Sequence, residues 1–339
     1  MASEKTQTLY SGDLTSYCNS VKSLMDSELQ SLLPVIAELK LRNQIIYALH
    51  TKGKRLRSTL VLLSGESVGA DREGLRKLAL SIELLHLATL VHDDILDEDL
   101  FRRNSISVYA KWGVKDAVLV GDMLASLSLS LCKGYKRRIL DAMIDTCTKL
   151  SDGEYSDVEL ARTALTEEDY FKKVRKKCAS LFQAACECGA LAANGSLSET
   201  NALRLYGENY GIAYQIRDDI IDIEASGNDL QTDVNKFRAT LPIIHAVDSA
   251  NNEKRALLER LLSDKTHESL SAFLNEAQVY FENGSLGYCA SKVDEYIDRA
   301  VANLTPLKES TFKSYLLEMA ELLRIKESKI GVQNVIFET

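Results

Sequence analysis

Two acidic clusters of the same form, Asp93-Asp94-Ile95-Leu96-Asp97 and Asp218-Asp219-Ile220-Ile221-Asp222, stand far apart in the chain, each inside an apolar run that reads as a helix. Crowded carboxylates repel one another unless a cation or a polybasic ligand compensates them. Residues four apart lie above one another on a helix face, so Asp93 and Asp97 point the same way, as do Asp218 and Asp222. Hard oxygen ligands on two facing helices suit several Mg²⁺ ions, which keep part of their water and bind phosphate oxygens. The pattern implies a diphosphate held through metal.

Basic residues stand beside these clusters. Lys52-Gly53-Lys54-Arg55-Leu56-Arg57 opens an apolar run, with Gly53 permitting close approach of backbone and cations to an anion at a helix start. The competing reading is a solvated turn before a helix. Arg102 and Arg103 follow the first cluster; alone they read as surface charge, but beside a metal-bound diphosphate their guanidinium forks match phosphate oxygens. Gly207 and Gly211 precede Asp218 near one helix face, which implies close approach of either another helix or a ligand. The polar stretch Ala225 to Lys236 reads as a mobile loop and a candidate lid over the acidic mouth.

The elements that must carry these groups are helices. Three prolines occur in 339 residues, 45% of the chain is hydrophobic, and apolar residues recur at three and four rather than at two. Helices are expected from about Leu14 to Leu33, then to His50, over Gly74–Asp99, Asp116–Cys132, Lys136–Ala161, Thr166–Ala193, Glu199–Glu224 and Thr240–Leu262. The fold class is all-α, and without repeat, low-complexity tract or linker the chain 1–339 reads as one domain. A net charge of −8 gives no support for nucleic-acid or anionic-membrane binding. The seven cysteines form no CxxC pair or framework, and the polar N-terminus lacks the apolar core of a secretory signal; both fit a reduced, cytoplasmic protein. Gly121, Asp122 and serines interrupt Ala117–Cys132, which reads as a buried helix rather than a membrane span.

Taken in order, the motifs resemble those of the trans-isoprenyl diphosphate synthases, the polyprenyl synthetases. Residues 52–58, KGKRLRS, look like the family's GGKRLRP. Ile82-Glu83-Leu84-Leu85-His86, then His92-Asp93-Asp94 with Asp97 and the Arg102-Arg103 pair, is similar to its first aspartate-rich motif. Val120-Gly121-Asp122, Gly153-Glu154 and Lys177-Cys178-Ala179 fit its VGD, GE and KTA landmarks, and Tyr214-Gln215-Ile216-Arg217-Asp218-Asp219 with Asp222 looks like its second aspartate-rich motif. Asp233 and Thr240-Leu241-Pro242 fall at the spacing of DLxxGKxTLP, with Phe237 and Arg238 in the glycine and lysine slots. Asn104 replaces the glycine after the arginine pair, and Gly227-Asn228-Asp229 stands where GKP is common.

The resemblance implies a large helical bundle with a central cavity, of the isoprenoid synthase type, working as a homodimer on isopentenyl diphosphate and an allylic diphosphate. In that reading Asp93, Asp97, Asp218 and Asp222 hold three Mg²⁺ ions, while Lys177, Arg102 and Arg238 hold the allylic diphosphate. Lys54, Arg57, His86 and Arg103 cradle the isopentenyl diphosphate, and Gln215 lines the reaction centre. A terpene cyclase on the same fold and a silent regulatory subunit are the alternatives. The prenyl tail is expected to run down the helix before Asp93, past Thr89 and Ala88. At about 1.5 Å per residue, Ala88 lies about 7 Å below the metals and Leu85, the next possible floor, about 12 Å. Neither Thr89 nor Ala88 is large, so a product longer than fifteen carbons is expected: a long-chain polyprenyl diphosphate, or the twenty-carbon geranylgeranyl diphosphate.

Overall fold

The structure, a computed structural model, describes residues 13–50, 53–103, 105–160, 166–226, 240–264 and 266–325. Arg238, Phe237, Asp233, Asn104, Lys52 and the candidate lid beyond Ser226 lie outside the described residues. The helices run α1 (Leu14–Ser31), α2 (Leu33–Ala37), α3 (Arg42–Leu49), α4 (Leu56–Ser67) and α5 (Arg72–Leu96). A two-stranded hairpin, β1 (Phe101–Arg102) and β2 (Ser105–Ile106), leads to α6 (Val108–Trp112), α7 (Val114–Leu131) and α8 (Arg137–Leu160). Beyond these come α9 (Glu167–Val174), α10 (Ser180–Ala192), α11 (Leu197–Ser226), α12 (Leu241–Asp248), α13 (Asn252–Ser263), α14 (His267–Tyr280), α15 (Leu286–Asn303) and α16 (Thr311–Glu321).

The all-helical expectation holds, and the breaks have local causes. The expected helix to His50 is split into α2 and α3. The helix expected from Thr240 to Leu262 ends at Asp248 and restarts at Asn252, where the Asn251 side chain caps Lys254 N at 3.0 Å. Asparagine favours that N-cap role over a helix interior. Between α9 and α10 the chain widens into one π-helical turn, Arg175–Ala179, carrying Lys177; such turns inside helices often mark functional sites.

The central core joins α4, α5, α10 and α11 with α15 packed on α11, and α7 runs along α5. Glycines set the closest approaches. A Cβ on Gly189 would stand 2.4 Å from Val61 O, so α10 and α4 meet backbone to backbone. Gly207 and Gly211 do the same for α11: a Cβ would lie 2.5 Å from Phe182 O and 2.7 Å from Ala179 Cα, respectively. Of the two readings left open for this pair, the structure supports helix packing.

The expectation of a buried helix at Ala117–Cys132 is half right. Ala117, Val120, Gly121, Leu124 and Ser128 are buried on α7, but Val114, Val118 and Leu119 are 49%, 39% and 52% exposed. Its apolarity is two-sided: one face packs on α5 and the other meets solvent. Val114–Gly134 is long and apolar enough to cross a membrane, by length and composition only, and among the described residues it is the one such helix.

Candidate active site

The site begins with the face of α5. Asp71 caps the helix start, and Glu83, His86, Thr89, Leu90 and Asp93 recur at three and four, so one stripe of side chains looks into a cavity of about 260 Å³. Asp218 and Gln215 enter the same cavity from α11, Lys177 from the π-helical turn, Glu154 from α8, and Lys54, Arg55 and Arg57 from the start of α4. Two aspartates distant in sequence thus face one space. Asp97 caps the end of α5 one turn beyond Asp93, and Asp222 stands exposed one turn beyond Asp218; neither belongs to the cavity walls.

Asp93 Oδ1 is buried and accepts no hydrogen bond, with Lys177 Nζ 3.7 Å away. Lys177 reaches Glu154 at 2.8 Å, and burial beside Asp93 pushes the Glu154 carboxyl up to about 8. Burial likewise raises Asp218, against the pull of Lys54, although its side chain stays open to the cleft. Among the described residues no three His, Cys, Asp or Glu side chains close on one point. A buried carboxylate oxygen that accepts no hydrogen bond, in one cavity with a second carboxylate open to the cleft, fits cations that complete their shells with water and phosphate rather than with protein alone.

The cations divide by partner. Arg57 lies 4.2 Å over the Phe182 ring and donates from Nη1 to His86 Nε2 at 3.1 Å, while its own Nε is buried without a partner. Because a guanidinium only donates, His86 accepts at Nε2; burial and Arg57 hold the ring's pKa well down, so it is neutral with its proton on Nδ1. His86 therefore offers an anion a hydrogen bond and no charge. Gly53 leaves room for Arg103, whose Nη1 lies 2.3 Å from where a Cβ would sit. Arg55, with a left-handed φ of 55°, lines the cavity but pairs with Glu83 at 2.9 Å. Of these three positives, Arg55 is thus spent on Glu83, and Lys54 and Arg57 are left for an anion.

Several expected residues are elsewhere. Arg102 does not reach the cavity: its Nε donates to Asp94 Oδ1 at 2.7 Å and its Nη2 to Asp99 Oδ2 at 3.0 Å, anchoring the hairpin to the end of α5. Asp94 is 3% exposed, and burial lifts its carboxyl to about 6 despite Arg102. Ala88 and Leu85 lie in packed apolar layers rather than at the cavity wall, whereas Thr89 lines it. The cause is the 100° turn per residue: Thr89 lies about 40° round from Asp93, but Ala88 about 140°. Glu154 stood in the sequence as half of the GE landmark, with no role assigned to it; Gly153 lets α8 reach Lys177, a Cβ there meeting Lys177 N at 2.5 Å.

A model of the polyprenyl synthetase family matches residues 38–277. The chain belongs to the polyprenyl synthetase family. It is 31% identical over 316 residues to a geranylgeranyl diphosphate synthase of Methanosarcina mazei, covering 90% of this chain and 95% of that protein. It is 33% identical over 278 residues to an all-trans-nonaprenyl-diphosphate synthase of Rhodobacter capsulatus, covering 80% and 84%. A polyprenyl synthase of Caulobacter crescentus, solved with calcium and isoprenyl diphosphate, superposes with a TM-score of 0.81 at 25% identity, over 93% of this chain and 98% of that one. This polyprenyl synthetase is accordingly a trans-prenyltransferase with the all-α isoprenoid synthase fold.

Proposed function

We propose that this polyprenyl synthetase joins isopentenyl diphosphate to an allylic diphosphate with the help of three Mg²⁺ ions, giving an (E)-prenyl diphosphate longer than fifteen carbons. The observation that carries this is the convergence of Asp93, Asp218, Lys54, Arg57, Arg103 and Lys177 on one cavity. The residues that would hold the metal are Asp93 and Asp218, with Asp97 and Asp222 one turn farther out; divalent ions held there would supply positive charge to offset that of the leaving diphosphate. Lys177 adds charge on the Asp93 side of the cavity. Arg57, fixed against Phe182 and His86, and Arg103, seated on Gly53, bind the second diphosphate with Lys54. Gln215, Tyr214, Leu90 and Thr89 wall off water from the allylic cation while the isopentenyl double bond attacks it. The departed diphosphate is placed to take the proton that restores the double bond.

The product reading rests on Thr89, a short side chain at the cavity wall one turn below Asp93. The exposed apolar side of α7 supports a homodimer and the domain is read as spanning 1–339; the seven cysteines, all free thiols, support a cytoplasmic setting. The deciding experiment incubates the protein with Mg²⁺, isopentenyl diphosphate and each allylic starter and measures product chain length. Elongation beyond fifteen carbons is the expected result. A product of fifteen carbons or fewer contradicts the length, and a cyclised hydrocarbon contradicts the reaction.

A further inference from the structure

The second acidic cluster contains a carboxylate that takes no part in the cavity. Asp219 follows Asp218 on α11, yet the 100° turn between neighbours sends it inward, where it is 4% exposed. Three donors from three elements converge on it. Gln215 Nε2 donates to Oδ1 at 2.9 Å from one turn back on α11. Tyr170 Oη donates to Oδ2 at 2.7 Å from α9, and the backbone N–H of Leu241, first residue of α12, donates to the same oxygen at 3.3 Å. Tyr170 is itself 1% exposed, and its hydroxyl is buried with the carboxylate. A buried carboxylate that loses one donor must turn or recruit another group, because its desolvation is no longer matched.

We infer that Tyr170 is a positioning residue for the prenyl transfer: by holding Asp219 it fixes the Gln215 amide at the cavity wall and the start of α12. Gln215 is the one of these donors that lines the cavity. An amide has a donating and an accepting end. With Nε2 held by Asp219, the orientation of the amide is decided, and the negative carbonyl end is left for the substrate side, where an allylic cation is stabilised by it. The shared oxygen makes the geometry of Tyr170 and Leu241 interdependent. Tyr170 also lies seven residues before Lys177 on the same continuous helical run, so one hydroxyl links the segment bearing Lys177 to the segment bearing Gln215 and Asp218.

The inference rests on the prenyl-transfer reading and needs neither the product length nor the ion count. The test is a double-mutant cycle with kcat and both KM values measured at saturating Mg²⁺. Tyr170→Phe, which removes only the hydroxyl, should lower kcat about tenfold while both KM values stay within about twofold, since hydrogen bonds to charged groups are the stronger kind. In a Gln215→Ala background the same substitution should cost less than about twofold, because the group it positions is gone. Asp219→Asn, of nearly equal volume, should repeat the first pattern if Tyr170→Phe folds poorly. Multiplicative effects in the cycle, an unchanged kcat in Tyr170→Phe, or wild-type turnover in Gln215→Ala would each overturn the inference. A wild-type chain that elongates no allylic starter overturns the function reading with it; one that elongates while the cycle is multiplicative overturns this inference alone.

Discussion

Asp93, Asp94 and Asp97 are close in sequence and have three different surroundings. Asp93 keeps a buried oxygen that accepts no hydrogen bond, Asp94 is spent on Arg102, and Asp97 ends the helix, closing it through its backbone N–H. Of the three, Asp93 is the one whose carboxylate lines the cavity. Asp93→Ala and Asp218→Ala should each lower turnover by orders of magnitude with helix content unchanged, and chelation of divalent ions should abolish turnover in the wild type. Near-normal rates in either variant, checked alongside circular dichroism, would remove the assignment. Lys54 carries a different expectation. Burial lowers its pKa, partly countered by Asp218, so it sits at a desolvated wall where a diphosphate gains most from it. Lys54→Ala should raise the KM for isopentenyl diphosphate more than that for the allylic partner; equal shifts in steady-state kinetics would show that two anion sites are not separable.

Elements matter through how closely they approach. The run of helices that frames the cavity is held at backbone contact by glycine, and the consequence is measurable at Gly207. Alanine there would place a methyl carbon 2.5 Å from Phe182 O, a backbone atom that cannot move aside alone. Overpacking of this kind costs about 1–3 kcal/mol, so in a chain of this length Gly207→Ala should lower Tm by about 1–4 °C in a thermal melt, despite alanine's better helix propensity. A stabilised variant would mean that α11 and α10 are not in contact as described. The tail path belongs to the same scale. Thr89 faces the cavity and Ala88 faces packed side chains, so Thr89→Phe should shorten the product while sparing the first condensation. Product analysis giving unchanged length for Thr89→Phe would place the floor on another helix.

For the molecule as a whole, an apolar face left open among the described residues is that of α7, with Val114, Val118 and Leu119 in solvent on a helix whose other side is core. A contiguous apolar face of this sort marks an interaction surface, and in the reading proposed here a second copy of the chain covers it. Sedimentation should find a dimer at micromolar concentration, and Leu119→Asp should shift it toward monomer without loss of helix content. A wild-type monomer would contradict the homodimer.

What the sequence determined by itself was the helical class and the family to which the chemistry belongs. The period of the apolar residues made the chain helical, and the paired aspartates with their basic neighbours pointed to the metal-held diphosphate of the reading proposed above. Spacing along a helix was enough there, because residues four apart must share a face. What only tertiary structure decided was direction and partnership. Lys54, Arg55 and Arg57 read alike as a basic knot, yet Arg55, left-handed at its backbone, is spent on Glu83. Arg102 and Arg103 read as one clamp, yet the first belongs to Asp94 and Asp99 and the second to the cavity. The tie between Tyr170 and Asp219 spans 49 positions and was invisible in order. A charged side chain takes whichever opposite group the fold brings within reach, and that reach is set by helix packing, which one-dimensional spacing does not encode.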